Sequence, residues 1–209
     1  KTKVYKRANP NRSAHSNDTN KKVYFDESKS YKIHLDSYSE KVNDAMSKAA
    51  REVAQEGTKN GWEHMKLVNL KSGNIECPHT DKESNTVGGK TLWNYLDAHK
   101  NENYAFIHNH NTATELSLPD VELMINGNQI LVVAAVRNDG IISLVESNGK
   151  HTTEYIPLKY DEQRSEYIKK TYGDRIPEDK YNEYVINIEI FTRDLVIKDY
   201  TKGGMQHYE

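Results

Sequence analysis

The chain contains very little cysteine: Cys77 is the only one among 209 residues. A single thiol excludes an intramolecular disulfide, a four-cysteine zinc site and a C-x-x-C redox site. No apolar run approaches the roughly 18 residues that a membrane-spanning helix needs, and no signal peptide is visible. The formal net charge is only −2, which gives no global attraction to nucleic acid or to an anionic membrane. We therefore expect a cytoplasmic protein without membrane or nucleic-acid partners.

The composition changes along the chain and predicts three regions. Residues 1–35 form a polar N-terminal arm or linker, in which the pieces KVYFD and YKIHL predict either an edge hairpin or a connection from an upstream region. Residues 36–150 contain the regular hydrophobic patterns of a folded domain, and residues 151–209 form a charged, tyrosine-rich C-terminal extension. Because the chain begins with Lys1 rather than methionine, we expect it to be an excised or processed fragment.

The central region begins with an amphipathic pattern over residues 37–57, which predicts a helix. Ser37 and Glu40 fit a capping box at its start, and Gly57 is a plausible stop. Further helices are predicted at 90–99 and 118–126, and strands at 63–70, 74–77, 104–107, 129–136 and 141–147. The order indicates an α/β fold with a central mixed β-sheet flanked by helices. Two further helices, at 161–172 and 178–199, make the C-terminal extension helical.

One short stretch, YAFIHNHNTATELSLPD from Tyr104 to Asp120, carries the strongest chemical signal. Alternate residues of a strand point to the same face, so His108 and His110 at its end are able to aim at one point. Ser117 fits the N-cap of the next helix, whose first turn carries Asp120. Two imidazoles and one carboxylate with an open fourth position are the usual ligands of a catalytic zinc ion.

This H-x-H, loop, S-x-x-D pattern resembles the signature of the JAMM (JAB1/MPN/Mov34) metalloprotease family, in particular its prokaryotic and phage-associated JAB branch. The resemblance covers roughly residues 36–149 and implies a JAB/MPN-like, cytidine-deaminase-like layout. It implies that His108, His110 and Asp120 bind Zn²⁺ and that an upstream glutamate, best matched by Glu63, is the general base. It further implies that Ser117 donates to the oxyanion, besides any capping role.

The activity implied by the resemblance is hydrolysis of a peptide or isopeptide bond by a zinc-activated water, with Glu63 as general base. The substrate would be a protein or peptide, such as a ubiquitin-like or isopeptide-linked protein. Two departures from the family pattern concern the groove for the substrate rather than the metal. Asn111 stands where most members have proline, and the loop between His110 and Ser117 holds only six residues.

Other residues compete for these roles less well. Glu56 and Glu76 are rivals of Glu63, but the first falls at a helix end and the second late in the predicted hairpin. His64, His79 and His99 have no partners at ligand spacing, and Cys77 fits a small apolar strand residue better than a nucleophile paired with His79. The letters H-N-H do not indicate an HNH nuclease, because that motif is spread over a larger metal-binding unit.

A second hypothesis is non-enzymatic. The chain would then be an assembly or interaction module of a phage or mobile-element protein that retains a metal site. The C-terminal extension has one apolar stripe, which either packs on the central domain or docks a partner chain. Its members are Tyr181, Tyr184, Val185, Ile188, Phe191 and Leu195. A RadC-like role near DNA is a weaker third hypothesis, because the charge balance is not basic.

Overall fold

In a computed structural model of the chain, which describes residues 21–209, one six-stranded mixed sheet lies at the centre. Its strands are β1 (Met65–Asn69), β2 (Ile75–His79), β3 (Tyr104–His110), β4 (Ile130–Arg137), β5 (Ile142–Glu146) and β6 (Gln206–Tyr208). Their spatial order is β2-β1-β3-β4-β5-β6. Only β3 and β4 are parallel, while the other neighbouring strands are antiparallel. The predicted α/β class with a mixed sheet flanked by helices is confirmed.

Helices cover both faces of this sheet. They are α1 (Glu40–Asn60), α2 (Gly89–Ala98), α3 (Leu118–Asn126), α4 (Ile156–Lys159), α5 (Asp161–Tyr172) and α6 (Tyr181–Tyr200), with a 3-10 turn at Glu178–Lys180. Side chains of α1 join one apolar core with alternate residues of β3 such as Ala105 and Ile107. Side chains of α2, α3 and α6 join the other core with Tyr104 and Phe106. Because β3 lies between these cores, all of its residues are buried.

The crossover between β3 and β4 determines where a site can form. Antiparallel neighbours need only a tight turn, but the parallel pair β3 and β4 needs a longer connection, and α3 provides it. The carboxyl end of β3 and the first turn of α3 are thereby brought next to each other. This arrangement places the histidines of β3 beside the aspartate of α3.

The ends of α1 differ from the sequence prediction. Its N-cap is Ser39, whose hydroxyl accepts a hydrogen bond from the Val42 N–H, whereas the Ser37 hydroxyl donates to the distant Glu146 carboxylate. The predicted capping box of Ser37 and Glu40 is therefore wrong. Gly57 does not end the helix either: it lies inside α1, which ends at Gly61 in the left-handed region. A tertiary contact of Gly57, described below, explains a glycine in mid-helix.

The C-terminal extension is only partly the helical region that the sequence predicts. Helix α5 spans the predicted 161–172 and α6 with its preceding turn matches the predicted 178–199 within one residue. The short strand β6, however, pairs with β5 and adds an edge to the central sheet. The predicted single apolar stripe is also divided, because Ile188 near the middle of α6 is buried whereas Tyr181 and Val185 in its first half are exposed.

The part of the N-terminal arm that the structure describes, residues 21–35, packs on the domain without forming the suggested hairpin. Tyr31, Ile33 and Leu35 are buried in the core with α1. Lys22 makes an isolated antiparallel bridge to Thr112, in the loop after the metal motif. The remainder of the arm, residues 1–20, lies outside the described residues. Within the described part of the chain, no helix has the length and apolar character needed to cross a membrane.

Candidate metal centre

The carboxyl end of β3 brings two histidine rings together. His108 and His110 have the same strand parity as Phe106, so both rings point to the side of the sheet covered by α3. Their Nε2 atoms are 3.0 Å apart, and both residues are buried, with exposed fractions of 1% and 7%. The predicted convergence of the two imidazoles is therefore present in the structure.

The third member of the cluster comes from the first turn of α3. The Ser117 hydroxyl accepts a hydrogen bond from the Asp120 N–H, while the Asp120 carboxylate accepts one from the Ser117 N–H, which is a reciprocal capping box. This box fixes the carboxylate beside both rings: Oδ1 lies 3.2 Å from His108 Nε2, and Oδ2 lies 3.6 Å from His110 Nε2. His108, His110 and Asp120 thus form a compact group of potential metal ligands.

The spacing of these atoms fits a zinc ion. In a tetrahedral site with Zn–N distances of about 2.0–2.1 Å, two ligand nitrogens are separated by roughly 3.4 Å. The observed separations among His108, His110 and Asp120, from 3.0 to 3.6 Å, lie around this value. Three protein ligands with a fourth position left for water or substrate are typical of catalytic rather than structural zinc.

The two histidines are oriented in different ways. The Nδ1 atom of His110 is 2.9 Å from the Thr114 hydroxyl, which fixes the ring so that Nε2 faces the cluster. His108 Nδ1 is buried and has no hydrogen-bond partner among the described residues, and its ring packs at a tilt against Phe106, with centroids 5.1 Å apart. A polar contact therefore orients one ring and apolar packing orients the other. Sequence reasoning missed Thr114, although its position four residues after His110 was a usable signal.

The two histidines of the cluster stabilise the ionised form of Asp120. Burial by itself would raise the pKa of Asp120, but the charge of His108 and hydrogen bonds from both histidines outweigh burial, and the pKa lies well below its ordinary value. Burial would likewise lower the pKa of His110, but the hydrogen bond and charge of Asp120 raise it overall. The ionised Asp120 carboxylate therefore attracts a proton or a metal ion to the cluster.

Glu63 approaches this cluster from the segment directly before β1. The antiparallel register pairs Met65 with His108, and the hydrogen bond from the Asn109 N–H to the His64 carbonyl extends the ladder by one pair. Continuing this register places Glu63 opposite His110. Glu63 is 8% exposed, and its burial raises the pKa of its carboxyl, although the nearby histidines partly oppose that effect.

All five predicted site residues line one cleft of about 820 Å³. These residues are Glu63, His108, His110, Ser117 and Asp120. One rim of the cleft is formed by Ser84–Val87 and the other by residues within 111–115, which belong to the six-residue loop between His110 and Ser117. Trp93 and Tyr24, which are 41% and 64% exposed, stand at its walls.

The rival residues lie elsewhere. Glu56 forms an ion pair with Lys66 and lies 3.5 Å from His64, on the α1 side of the sheet. Glu76 accepts a hydrogen bond from the Tyr95 hydroxyl. Within the described part of the chain, the cleft is lined by neither glutamate, nor by His64, His79, His99 or Cys77.

Comparisons of the chain with protein-family models, with curated proteins and with solved structures found no match. The geometry on its own defines an α/β protein with a candidate His-His-Asp metal site at the carboxyl end of β3. A buried glutamate shares the cleft of that site.

Proposed function

We propose that the chain is a zinc metallopeptidase of the JAMM type that hydrolyses a peptide or isopeptide bond. The observation that carries the proposal is that Glu63, Ser117 and the His108, His110 and Asp120 cluster line one cleft although they come from three separate elements. The α/β layout, with the metal ligands at the end of a central strand and in the following helix, agrees with the JAB/MPN-like fold that the sequence pattern implies. The proposal includes the cytoplasmic setting expected from the single cysteine.

His108, His110 and Asp120 would hold the zinc ion. When bound, zinc lowers the pKa of a water molecule to about 7 and polarises the carbonyl that is attacked. His108 and His110 are buried, which strengthens their electrostatic interactions with Asp120. A neutral imidazole at His110 requires its Nδ1 to carry the proton, which it then donates to Thr114 Oγ1.

Glu63 is the general base of the proposed reaction. Its carboxylate takes a proton from the attacking water and passes it to the leaving amine, so the same residue serves as base and then as acid. Burial raises the pKa of its carboxyl toward the range in which both roles are efficient near neutral pH. Its position across from His110 puts the carboxylate on the ligand side of the sheet.

Ser117 is the proposed donor to the oxyanion. In the structure its hydroxyl donates to Asp120 Oδ2 at 2.7 Å and also caps α3. Ser117 lines the cleft, so rotation of its hydroxyl would redirect the hydrogen bond that it donates from Asp120 to a substrate oxygen. Removing an oxyanion donor typically costs about 10²–10³ in kcat.

The open cleft between two polar rims fits an extended protein or peptide segment, including the tail of a ubiquitin-like or isopeptide-linked protein. The rims contribute mainly uncharged polar side chains such as Ser84, Asn85, Thr112 and Thr114, which suit hydrogen bonds to a peptide backbone. The aromatic side chains of Trp93 and Tyr24 offer apolar surface for substrate side chains.

The first test is the metal content of the purified full chain beside that of Asp120→Ala. About one zinc per wild-type chain, lost in the variant, would establish the site. A screen with peptide and isopeptide substrates follows, with Glu63→Gln as the variant that keeps zinc but loses turnover. Glu76→Gln is the matched control, because this glutamate lies outside the cleft. Absence of zinc from the wild type after reconstitution would refute the metallopeptidase proposal.

A second candidate function is a non-catalytic interaction module that keeps the metal site. The observation that favours it is the set of exposed large apolar residues on the C-terminal extension, where a partner chain could dock: Tyr155, Leu158, Tyr181, Val185 and Ile186. Bound zinc without turnover on any peptide, together with a partner whose binding is lost on Val185→Ser, would favour this candidate over the peptidase.

A further inference from the structure

Asn109 lies between the two histidines in sequence but on the opposite side of β3. Its strand parity is that of Ile107, whose side chain faces α1, so Asn109 cannot join the metal cluster. The residue is completely buried. A buried amide needs partners for its donor and its acceptor, because an unpaired polar group costs roughly 1–3 kcal/mol. Asn109 meets this requirement through hydrogen bonds to the backbone before β1.

The Asn109 amide binds the backbone on both sides of Glu63. Its Oδ1 accepts a hydrogen bond of 2.7 Å from the His64 N–H, and its Nδ2 donates one of 3.3 Å to the Trp62 carbonyl. The N–H of Glu63 itself donates to the Glu83 carbonyl at 2.7 Å. The three consecutive residues 62–64, which precede β1, are thus fixed by one side chain and one loop.

Two further asparagines support this contact. Asn109 Nδ2 lies 3.2 Å from both Asn138 Oδ1 and Asn111 Oδ1, so its two protons are shared among three acceptors. Asn138 Nδ2 donates to Asn111 Oδ1, and Asn111 Nδ2 donates to the Gly61 carbonyl. The group ties the turn between β4 and β5 and the end of α1 to the same backbone segment.

Helix α1 blocks movement of the Asn109 side chain from the other direction. A Cβ atom on Gly57 would lie 2.1 Å from Asn109 Nδ2, a distance that real Cβ atoms do not show. The mid-helix glycine therefore provides the space that the amide occupies. With hydrogen bonds on one side and the helix backbone on the other, the amide has a single position.

From these contacts we propose that Asn109 is a positioning residue that directs the Glu63 carboxylate into the metal cleft by holding Trp62 and His64. The inference rests on the proposed function, since it needs Glu63 to act as the base. Without the clamp, the segment before β1 loses two of its hydrogen bonds, and Glu63 is no longer held at a defined distance from His110. A displacement of about 1 Å at a reacting group can cost on the order of 10²-fold in rate.

The test compares three variants of the zinc-loaded full chain. Asn109→Leu removes both amide contacts at nearly constant volume. Gly57→Ala displaces the same amide from the helix side while adding a better helix former. Asn43→Leu is the matched control, because Asn43 is also a buried amide that binds the N–H and the carbonyl of one residue, Leu35, away from the cleft.

The first readout is calorimetric binding of acetohydroxamic acid, a small zinc ligand whose bound form donates a hydrogen bond to a neighbouring base. We expect Glu63→Gln and Asn109→Leu each to weaken binding roughly ten-fold or more with zinc content unchanged, and Gly57→Ala to act in the same direction. Asn109→Leu should add nothing in the Glu63→Gln background, because it acts through Glu63. Additive losses, or unchanged binding in Asn109→Leu, would overturn the inference while the zinc site stands.

The second readout, amide hydrogen exchange, does not depend on zinc. The His64 amide should exchange at least ten-fold faster in Asn109→Leu and not in Asn43→Leu, because only the first variant removes its acceptor. If Glu63→Gln leaves hydroxamate binding unchanged, or if no zinc binds, the proposed function fails by itself. Unchanged exchange at His64 would refute the clamp independently of that result.

Discussion

The metal cleft and the C-terminal extension bury very different kinds of side chain. Around the cleft, charged and amide groups such as Glu63, His108, Asn109 and Asn138 are nearly or completely buried. In the extension, α5 buries no residue, and α6 buries only residues from Ile188 onward. Buried polar groups cost free energy unless each finds a partner, whereas an exposed helix face has no such requirement.

This difference indicates which region constrains the sequence more tightly. In the cleft, one side chain often satisfies two or three partners, so a single substitution leaves several groups unpaired. In the first half of α6, most substitutions change only solvated surface. The extension nevertheless reaches the cleft, since Arg193 Nη1 donates to the Leu116 carbonyl, directly before Ser117, and His207 lies 3.1 Å from the Glu115 carboxylate.

The largest difference, in zinc affinity, should come from replacing one histidine of the cleft and one of the extension with glutamine. His108→Gln removes one of three proposed zinc ligands, so zinc affinity should fall by more than the roughly 100-fold expected for loss of an outer contact. His151→Gln in the extension is the matched control, because this histidine is exposed. Competition with a chromophoric chelator measures both. Equal zinc affinities would mean that the cluster does not bind the metal.

The same valine-to-serine substitution, made once in each half of α6, tests whether only the second half packs in the core. Val196→Ser introduces a hydroxyl into the core and removes apolar contact, so we expect a loss of about 2–4 kcal/mol in the free energy of unfolding. Val185→Ser should change it by less than about 0.5 kcal/mol, because Val185 is 43% exposed. Urea denaturation distinguishes the two. A large loss at Val185 would show that this half of α6 is packed in solution.

Arg193→Met tests the connection that Arg193 makes between the extension and the cleft. The variant keeps the length of the side chain but leaves the Leu116 carbonyl without its 2.9 Å partner, which should cost about 1–3 kcal/mol of stability. Arg175→Met is the control, since Arg175 is exposed. Urea midpoints measured with and without zinc show whether the loss of stability also affects zinc binding next to the loop between β3 and α3. Equal stability of the two variants would remove this link.

The smallest expected effect is a pH dependence of the Tm that arises from residues of the cleft. Because the pKa of His110 is raised above its ordinary 6.5, the stability it contributes is complete below that value and is lost as pH rises through the raised pKa. We therefore expect the Tm of the metal-free protein to fall as the pH rises above the ordinary 6.5. Zinc should stabilise more strongly over the same interval, because its ligands must be deprotonated.

The Asp120→Asn substitution tests whether Asp120 is responsible for this pH dependence of the Tm. The low pKa of Asp120 contributes stability above the ordinary 3.8 and loses it only as pH falls, so this residue does not itself cause the fall near neutral pH. Removing its charge should nevertheless reduce the fall, because Asp120 contributes more than Glu63 or Thr114 to the raised pKa of His110. A Tm of metal-free protein that rises steadily toward pH 8, measured by scanning fluorimetry with a chelator, would contradict the assignment.

The elements that the sequence predicted well are those with strong local signals. Helix α3 has the predicted bounds 118–126, because Ser117, Pro119 and Asp120 are all typical of a helix start. The residues His108, His110 and Asp120 were also predictable, since strand alternation and the following cap determine their approximate directions. Whether Glu63 reached the same cleft required the register of β1 against β3, which no local pattern specifies.

The failures have long-range causes. Gly57 looks like a helix stop in the sequence, but its lack of a side chain makes room for Asn109, which is 52 positions later in the chain. Ser37 looks like the helix cap in the sequence because Glu40 follows at capping-box spacing, yet Ser37 contacts Glu146, and Ser39 caps the helix. Strand β6 is only three residues long and forms because β5 offers a free edge.

The bridge between Lys22 and Thr112 has a consequence for competition at the cleft. The Val23 N–H donates to the Asn111 carbonyl and the Ala113 N–H donates to the Lys21 carbonyl, both at 3.0 Å, so the backbone of this rim is already paired with residues 21–23. An incoming peptide cannot pair its backbone there until those bonds open. Within residues 21–209, the Ser84–Val87 rim makes no such β-bridge, so we expect a guest chain to pair more readily on that side.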